Sequence, residues 1–246
     1  MRNLRNLNLA LDRENLLQLG TDEITAGYTT ITQRIQYSEE IARRLSALPG
    51  VRAVTYSQDG LHFDEAADTI KVDGFVAKSA EDSICATDRV GHDYFHTLAI
   101  PLIAGRELTA QDSASGPKTT VINEAAAQFY FGRASPVGRT LWITDTDDGK
   151  PVPFQVVGVV AKARDHSLRG QPARRLWVSI AQSLDAVGNM YFMVRSASDA
   201  DLLAPARVAP FVTSILPSLF SASPLSSPAS TTPSVLRARG REICFS

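Results

Sequence analysis

Between Ile31 and Leu48 the apolar residues Ile31, Ile35, Ile41, Ala42, Leu45 and Leu48 recur at three- and four-residue intervals, while Arg34, Glu39, Glu40, Arg43 and Arg44 fall on the opposite face. That period predicts an amphipathic helix, and Pro49-Gly50 ends it. The rhythm changes on either side. Asn15 to Leu19 and Val51 to Ser57 are short apolar runs, the latter rich in β-branched and aromatic residues, and both predict strands. Strand, helix and strand in succession form a βαβ-like unit that lays its helix on one sheet face. Further strands are predicted at Thr69 to Phe75, Ser83 to Val90, Thr119 to Ile122, Arg139 to Thr144, Pro153 to Ala163, Arg175 to Ile180 and Asn189 to Ser196. A helix is predicted to start near Asn123, a good N-cap residue, and another at Asp199 or Asp201. The mixture is α+β, with no repeat of solenoid length.

The most informative stretch runs from Asp93 to Arg106. Tyr94, Phe95 and Leu98 share a helical face, and Pro101 stops the helix. Because a residue before proline is driven to extended geometry, Ile100-Pro101-Leu102-Ile103 predicts a turn into a short buried segment, with Gly105 permitting the next bend. These residue types belong to packing rather than to bond-breaking chemistry.

The same stretch is similar to the segment Y-F-x-T-L-x-I-P-L-x-x-G-R of the extracytoplasmic core domain in MacB-type and FtsX-like ABC transporter permeases. Further landmarks follow in that family's order: Val121-Ile122-Asn123-Glu124, Phe129-Tyr130-Phe131, Ser135-Pro136-Val137-Gly138-Arg139, Val156 to Val160, Ser167-Leu168-Arg169, Leu176-Trp177-Val178 and Ala181-Gln182. Leu7-Asn8-Leu9 and Asp12 to Leu17 resemble the stretch that leaves the membrane ahead of the domain. The resemblance implies a MacB-like periplasmic core at residues 15–205, a membrane-proximal linker at 1–14 and an atypical, poorly ordered tail at 206–246. It implies a ferredoxin-like βαβ subdomain, Asn15 to Val90 completed by the late strands, with a mixed α/β subdomain inserted from about Tyr94 to Ile143. In function it implies a non-catalytic extracytoplasmic module at the inner membrane, taking part in efflux. Its partners would be membrane-spanning permease helices, a separate ATP-binding subunit and a second permease copy, with no cofactor.

Composition narrows the alternatives. The 246 residues suffice for one large domain or two small ones, and a formal net charge of −1 offers no general field for nucleic acid or anionic lipid. Cys85 and Cys244 could form one bridge at most, so a disulfide framework is not expected. Met1 to Asn6 lacks the continuous apolar core of a secretory signal, and Val156 to Ala161 is far shorter than the roughly 20 residues that span a bilayer as helix. Val208 to Leu236 carries no charge, but five prolines interrupt it and its second half is rich in Ser and Thr. Since the family pattern fades near Ala204 and the flanking membrane helices are not in the chain, the expectation is a fragment, truncated or frame-shifted.

Candidate chemistry is sparse. His92 and His96 stand four apart, as helical metal ligands do, yet no third His or Cys lies at ligand spacing. His62, Asp64, Glu65 and Asp68 could hold a cation, but a solvated loop opening at Asp59-Gly60 explains them more simply. Asp165-His166-Ser167 has no nucleophile elbow, adjacent residues do not form a relay, and no phosphate-cradling glycine loop occurs. Gly158 lies inside an apolar strand, where glycine marks close backbone packing. Cys85 reads as a small buried residue, and Lys162, Arg164, Arg169, Arg174 and Arg175 as a basic patch for lipid, for protein or for solvent alone. No catalytic, cofactor or metal residue is therefore assigned. Two rival classes are a stand-alone soluble ligand-binding protein and a metal-dependent hydrolase using His62, His92 or His166.

Overall fold

The computed structural model describes residues 15–21, 28, 30–60, 66–144, 149–161, 173–183 and 190–197, with the backbone of 235–238 and 241–244. Three strands and a helix make the first unit. Strand β1 (Leu16–Thr21) leads to helix α1 (Ile31–Ser46) and strand β2 (Val51–Ser57). The α1 start is closed by a capping box, in which the Gln33 amide donates to the Thr30 hydroxyl and the Thr30 amide to the Gln33 side chain. Strand β10 (Met190–Ser196) lies between β1 and β2, antiparallel to both. The first unit is thus a split βαβ, with the last core strand inserted at its centre. Ile41, Ala42 and Leu45 of α1 pack on Leu17, Leu19, Val54, Phe192 and Val194.

The second unit is a sheet closed on itself. Strands β3 (Ala67–Val72), β4 (Ile84–Val90), β6 (Thr119–Asn123), β7 (Thr140–Thr144), β8 (Val152–Val160) and β9 (Arg175–Ser179) pair in the ring β4-β3-β7-β8-β6-β9, and β9 returns to β4 in parallel. Closure leaves no open edge along this ring. Ile70, Val72, Cys85, Ile122, Leu141, Ile143, Phe154, Val156, Leu176 and Val178 fill it. Ala126 and Tyr130 of helix α3 (Glu124–Phe131) complete the same core.

This closure corrects the expected subdomain boundary. Strands β3 and β4, assigned by sequence to the βαβ subdomain, belong to the barrel, and the barrel continues past Ile143 through β8 and β9. Strand periodicity marks which residues face inward but not which strand lies alongside.

Helix α2 (Tyr94–Leu98) fills the space between the two units. Tyr94, Phe95 and Leu98 are almost fully buried, packed with Leu16 and Met193 of the first sheet and Val121, Val160 and Trp177 of the barrel wall. At about 1.5–3 kcal/mol for each large apolar side chain buried, these three residues contribute strongly to holding the units together. The segment after Pro101 departs from expectation: β5 (Leu102–Gly105) pairs outside β8 and is exposed along its length. At its end Gly105 has φ +75°, and a Cβ there would stand 2.1 Å from the Val157 carbonyl oxygen; one on Gly158 would stand 2.1 Å from that of Arg106. The chains cross where neither can carry a side chain.

The tail, expected to lack regular structure, contributes backbone strands β11 (Val235–Ala238) and β12 (Arg241–Cys244), with β11 paired antiparallel to β1. Its remainder and the helix predicted at Asp199 or Asp201 lie outside the described residues.

Candidate functional site

The histidine pair does not converge. Asp93 has left-handed backbone, φ 58°, and α2 begins only at Tyr94, so His92 stands outside the helix that carries His96. The His92 Nδ1 lies 2.9 Å from Oδ2 of neighbouring Asp93, while the His96 side chain is exposed. No group of three His, Cys, Asp or Glu suited to a metal occurs among the described residues. His62, Asp64, Glu65, Asp165, His166 and Ser167 lie outside them.

Other candidates sit differently from their sequence reading. Asp68, expected in a solvated loop, is buried in β3 and pairs at 3.3 Å with Arg89 of β4, itself 6% exposed. Gly60 is buried as well. Cys85 is 1% exposed, and burial pushes its thiol up to about 12, far from thiolate reactivity. The expected basic patch loses Arg175, which is buried in β9. The Arg174 guanidinium lies 4.1 Å from the Phe129 ring centre and donates to the carbonyls of Glu81 and Ile84. Lys162, Arg164 and Arg169 lie outside the described residues.

The family-like motifs resolve into ties between elements. Both terminal nitrogens of Arg106 donate to Asp112, each at 2.8 Å, and the same carboxylate accepts from the Thr109 amide and the Thr119 hydroxyl. Burial would raise the Asp112 pKa, but the Arg106 guanidinium and the other donors hold the carboxyl below its ordinary value. Gln182, 1% exposed, continues the network: its Oε1 accepts from the Thr119 amide, and its Nε2 donates to the carbonyls of Ser113 and Pro117. Asn123 caps α3 through the Ala126 amide, accepts from the Arg175 amide and donates to the Ala173 carbonyl. Arg106, Asn123 and Gln182 thus direct hydrogen bonds to neighbouring parts of the fold.

One polar cluster escaped sequence reading. Asp88 of β4 is fully buried where the barrel meets the first sheet. Its Oδ1 accepts from the Asp59 amide at 3.2 Å, and the Tyr94 hydroxyl lies 3.4 Å from its Oδ2. The available signal was a lone carboxylate in the otherwise strand-like run Ser83 to Val90. Among the described residues, the large apolar side chains left exposed are Leu102 and Ile103 on β5, Val76, Ile84, and Phe129, whose ring packs against Phe75. No helix among the described residues is long and apolar enough to cross a membrane.

Residues 3–207 match the family model for the MacB-like periplasmic core domain. Among curated relatives, the chain is 23% identical over 148 residues to an uncharacterized ABC transporter permease, YknZ, of Bacillus subtilis, covering 60% of this chain and 32% of that protein. It is 31% identical over 87 residues to the macrolide export ATP-binding/permease protein MacB of Aggregatibacter actinomycetemcomitans, covering 35% and 12%. The chain thus spans about a third or less of the curated relatives it matches. Among solved structures, the periplasmic region of MacB from Actinobacillus actinomycetemcomitans superposes with a TM-score of 0.55 at 17% identity, covering 87% of this chain and 88% of that one. A domain of a putative permease from Porphyromonas gingivalis gives 0.52 at 12% identity, covering 89% and 94%. The fold likeness agrees with the ordered motifs and the family match: the chain belongs to the family of MacB-like periplasmic core domains of ABC transporter permeases.

Proposed function

We propose that this domain is a non-catalytic, extracytoplasmic part of an ABC permease, carrying conformational change between membrane helices and a substrate or partner during export. The observation that carries the reading is the family match across residues 3–207. The motif residues support it, because Arg106, Asn123 and Gln182 stiffen the domain instead of converging on a reactive centre. A domain with two cores and a packed helix between them can pass displacement as a unit, provided two states differ in their contacts. The partners in this reading are permease helices, a separate ATP-binding subunit and a second permease copy. The location is the outer face of the inner membrane.

The test uses the complete permease with its ATP-binding subunit in lipid nanodiscs. A spin label at Arg43→Cys on exposed α1 is paired with one on an adjoining membrane helix. ATP is expected to shift the distance between them. The same distance distribution without nucleotide, with ATP and after vanadate trapping refutes the proposal.

A further inference from the structure

We infer that Asp88 is a protonation-controlled clasp between the sheet and the barrel, neutral when the two units are locked together and loosening their joint when it ionises. The clasp belongs to the chain by itself, independently of any role in transport.

Asp88 lies beside the strand contact between the units. Strands β2 and β4 form the direct strand link between the units, and they pair at one position, Ser57 with Val90. On either side the Gln58 amide donates to the Arg89 carbonyl at 3.0 Å and the Gly91 amide to the Tyr56 carbonyl at 2.8 Å. Asp88 adds the third bond, by accepting from the Asp59 amide, and Tyr94 of the intervening helix approaches its other oxygen. Beside the packing of α2, the strand link therefore consists of a few backbone bonds arranged around one buried carboxyl.

The surroundings favour the neutral form. Among the described residues, the charged groups facing Asp88 are Asp59 from the turn after β2 and Arg175 from β9. The Tyr94 phenol faces it from α2, and the Ser57 hydroxyl accepts from the Gly60 amide at 2.8 Å. Arg89, next in sequence, pairs instead with Asp68. Burial first, and then the negative charge of Asp59, push the Asp88 carboxyl up to about 8, against the smaller opposing pulls of the Asp59 amide and Arg175. Below the ordinary carboxylate range both folded and unfolded chains hold the proton. As pH rises from there towards about 8, only the unfolded chain releases it, so the folded joint loses stability across that window. Above the folded value the loss is complete.

The test is a carbon-13 NMR titration of aspartate carboxyls in the full chain, with amide exchange at Gln58 and Gly91 corrected for intrinsic rate. One carboxyl is expected to titrate with a midpoint near 8, with the Gly91 and Gly60 amide signals following the same curve. Protection at Gln58 and Gly91 should fall about tenfold or more across it. Asp59→Asn should lower the midpoint by about one pH unit or more, because a like charge is removed. Asp88→Asn should abolish the transition; should that variant fail to fold, the wild-type and Asp59→Asn titrations decide. The inference is overturned if every aspartate titrates below about pH 5, or if Gln58 and Gly91 keep their protection through the high transition.

Discussion

Replacing Asp112 by Ala probes the network behind the Gly105-Arg106 motif. The side chain is 4% exposed and accepts five hydrogen bonds, two from Arg106, two from the Thr109 amide and hydroxyl, and one from the Thr119 hydroxyl. Hydrogen bonds to a charged group contribute about 1.5–3 kcal/mol each. The Arg106 side chain is 48% exposed and regains water when released, so its share is closer to the ~0–1 kcal/mol of a surface pair. The Thr109 and Thr119 donors are the main loss, partly offset because a buried carboxylate no longer has to be desolvated. The expected cost is about 2–4 kcal/mol at neutral pH. Urea unfolding would measure the global part, and amide exchange at Thr109 the local opening of the segment between Arg106 and Thr119. The Asp112 pKa is depressed in the folded state, so its contribution is present above the ordinary carboxylate range and fades as pH falls through the folded value. The gap between wild type and Asp112→Ala should therefore narrow in acid. A loss below about 1 kcal/mol at neutral pH, with Thr109 protection unchanged, would refute this account.

Other positions give separate checks. Gly158→Ala must displace the Arg106 carbonyl, 2.1 Å from the new Cβ, and should cost about 3 kcal/mol or more in urea unfolding, whereas a cost under about 0.5 would mean the β5–β8 crossing is not tight. Phe95→Ala empties a fully buried site edge-on to Trp177 and should cost about 3–5 kcal/mol by thermal denaturation; a neutral result would remove α2 from its role as filler. Cys85 should resist iodoacetamide in the native chain and react once urea unfolds it, as peptide mapping would show, and rapid native labelling would contradict its burial.

Much of the local structure was legible in the chain itself. The spacing from Ile31 to Leu48 marked α1 because a helix must place its apolar side chains on one face to bury them. Asn123 announced the start of α3 because its side chain can take an orphan amide, and it does so with Ala126. Gly158 indicated a close backbone approach because no side chain fits there. The family itself was legible, since the ordered motifs carry ancestry even where each motif alone is weak. What sequence could not decide was partnership. Nothing in Ile84 to Val90 says that the strand leaves the βαβ unit, closes a barrel against Arg175–Ser179 and touches β2 at a single pair. The apolar residues of β5 suggested burial, yet its place outside β8 leaves Leu102 and Ile103 exposed. Asp68 and Arg175 read as surface charges, and Asp88 drew no notice, because a charge becomes a buried partner only when a distant strand arrives beside it. Residue type and spacing determine local conformation and the face that must be hidden, while strand pairing over long separations determines what hides it and which charges are enclosed.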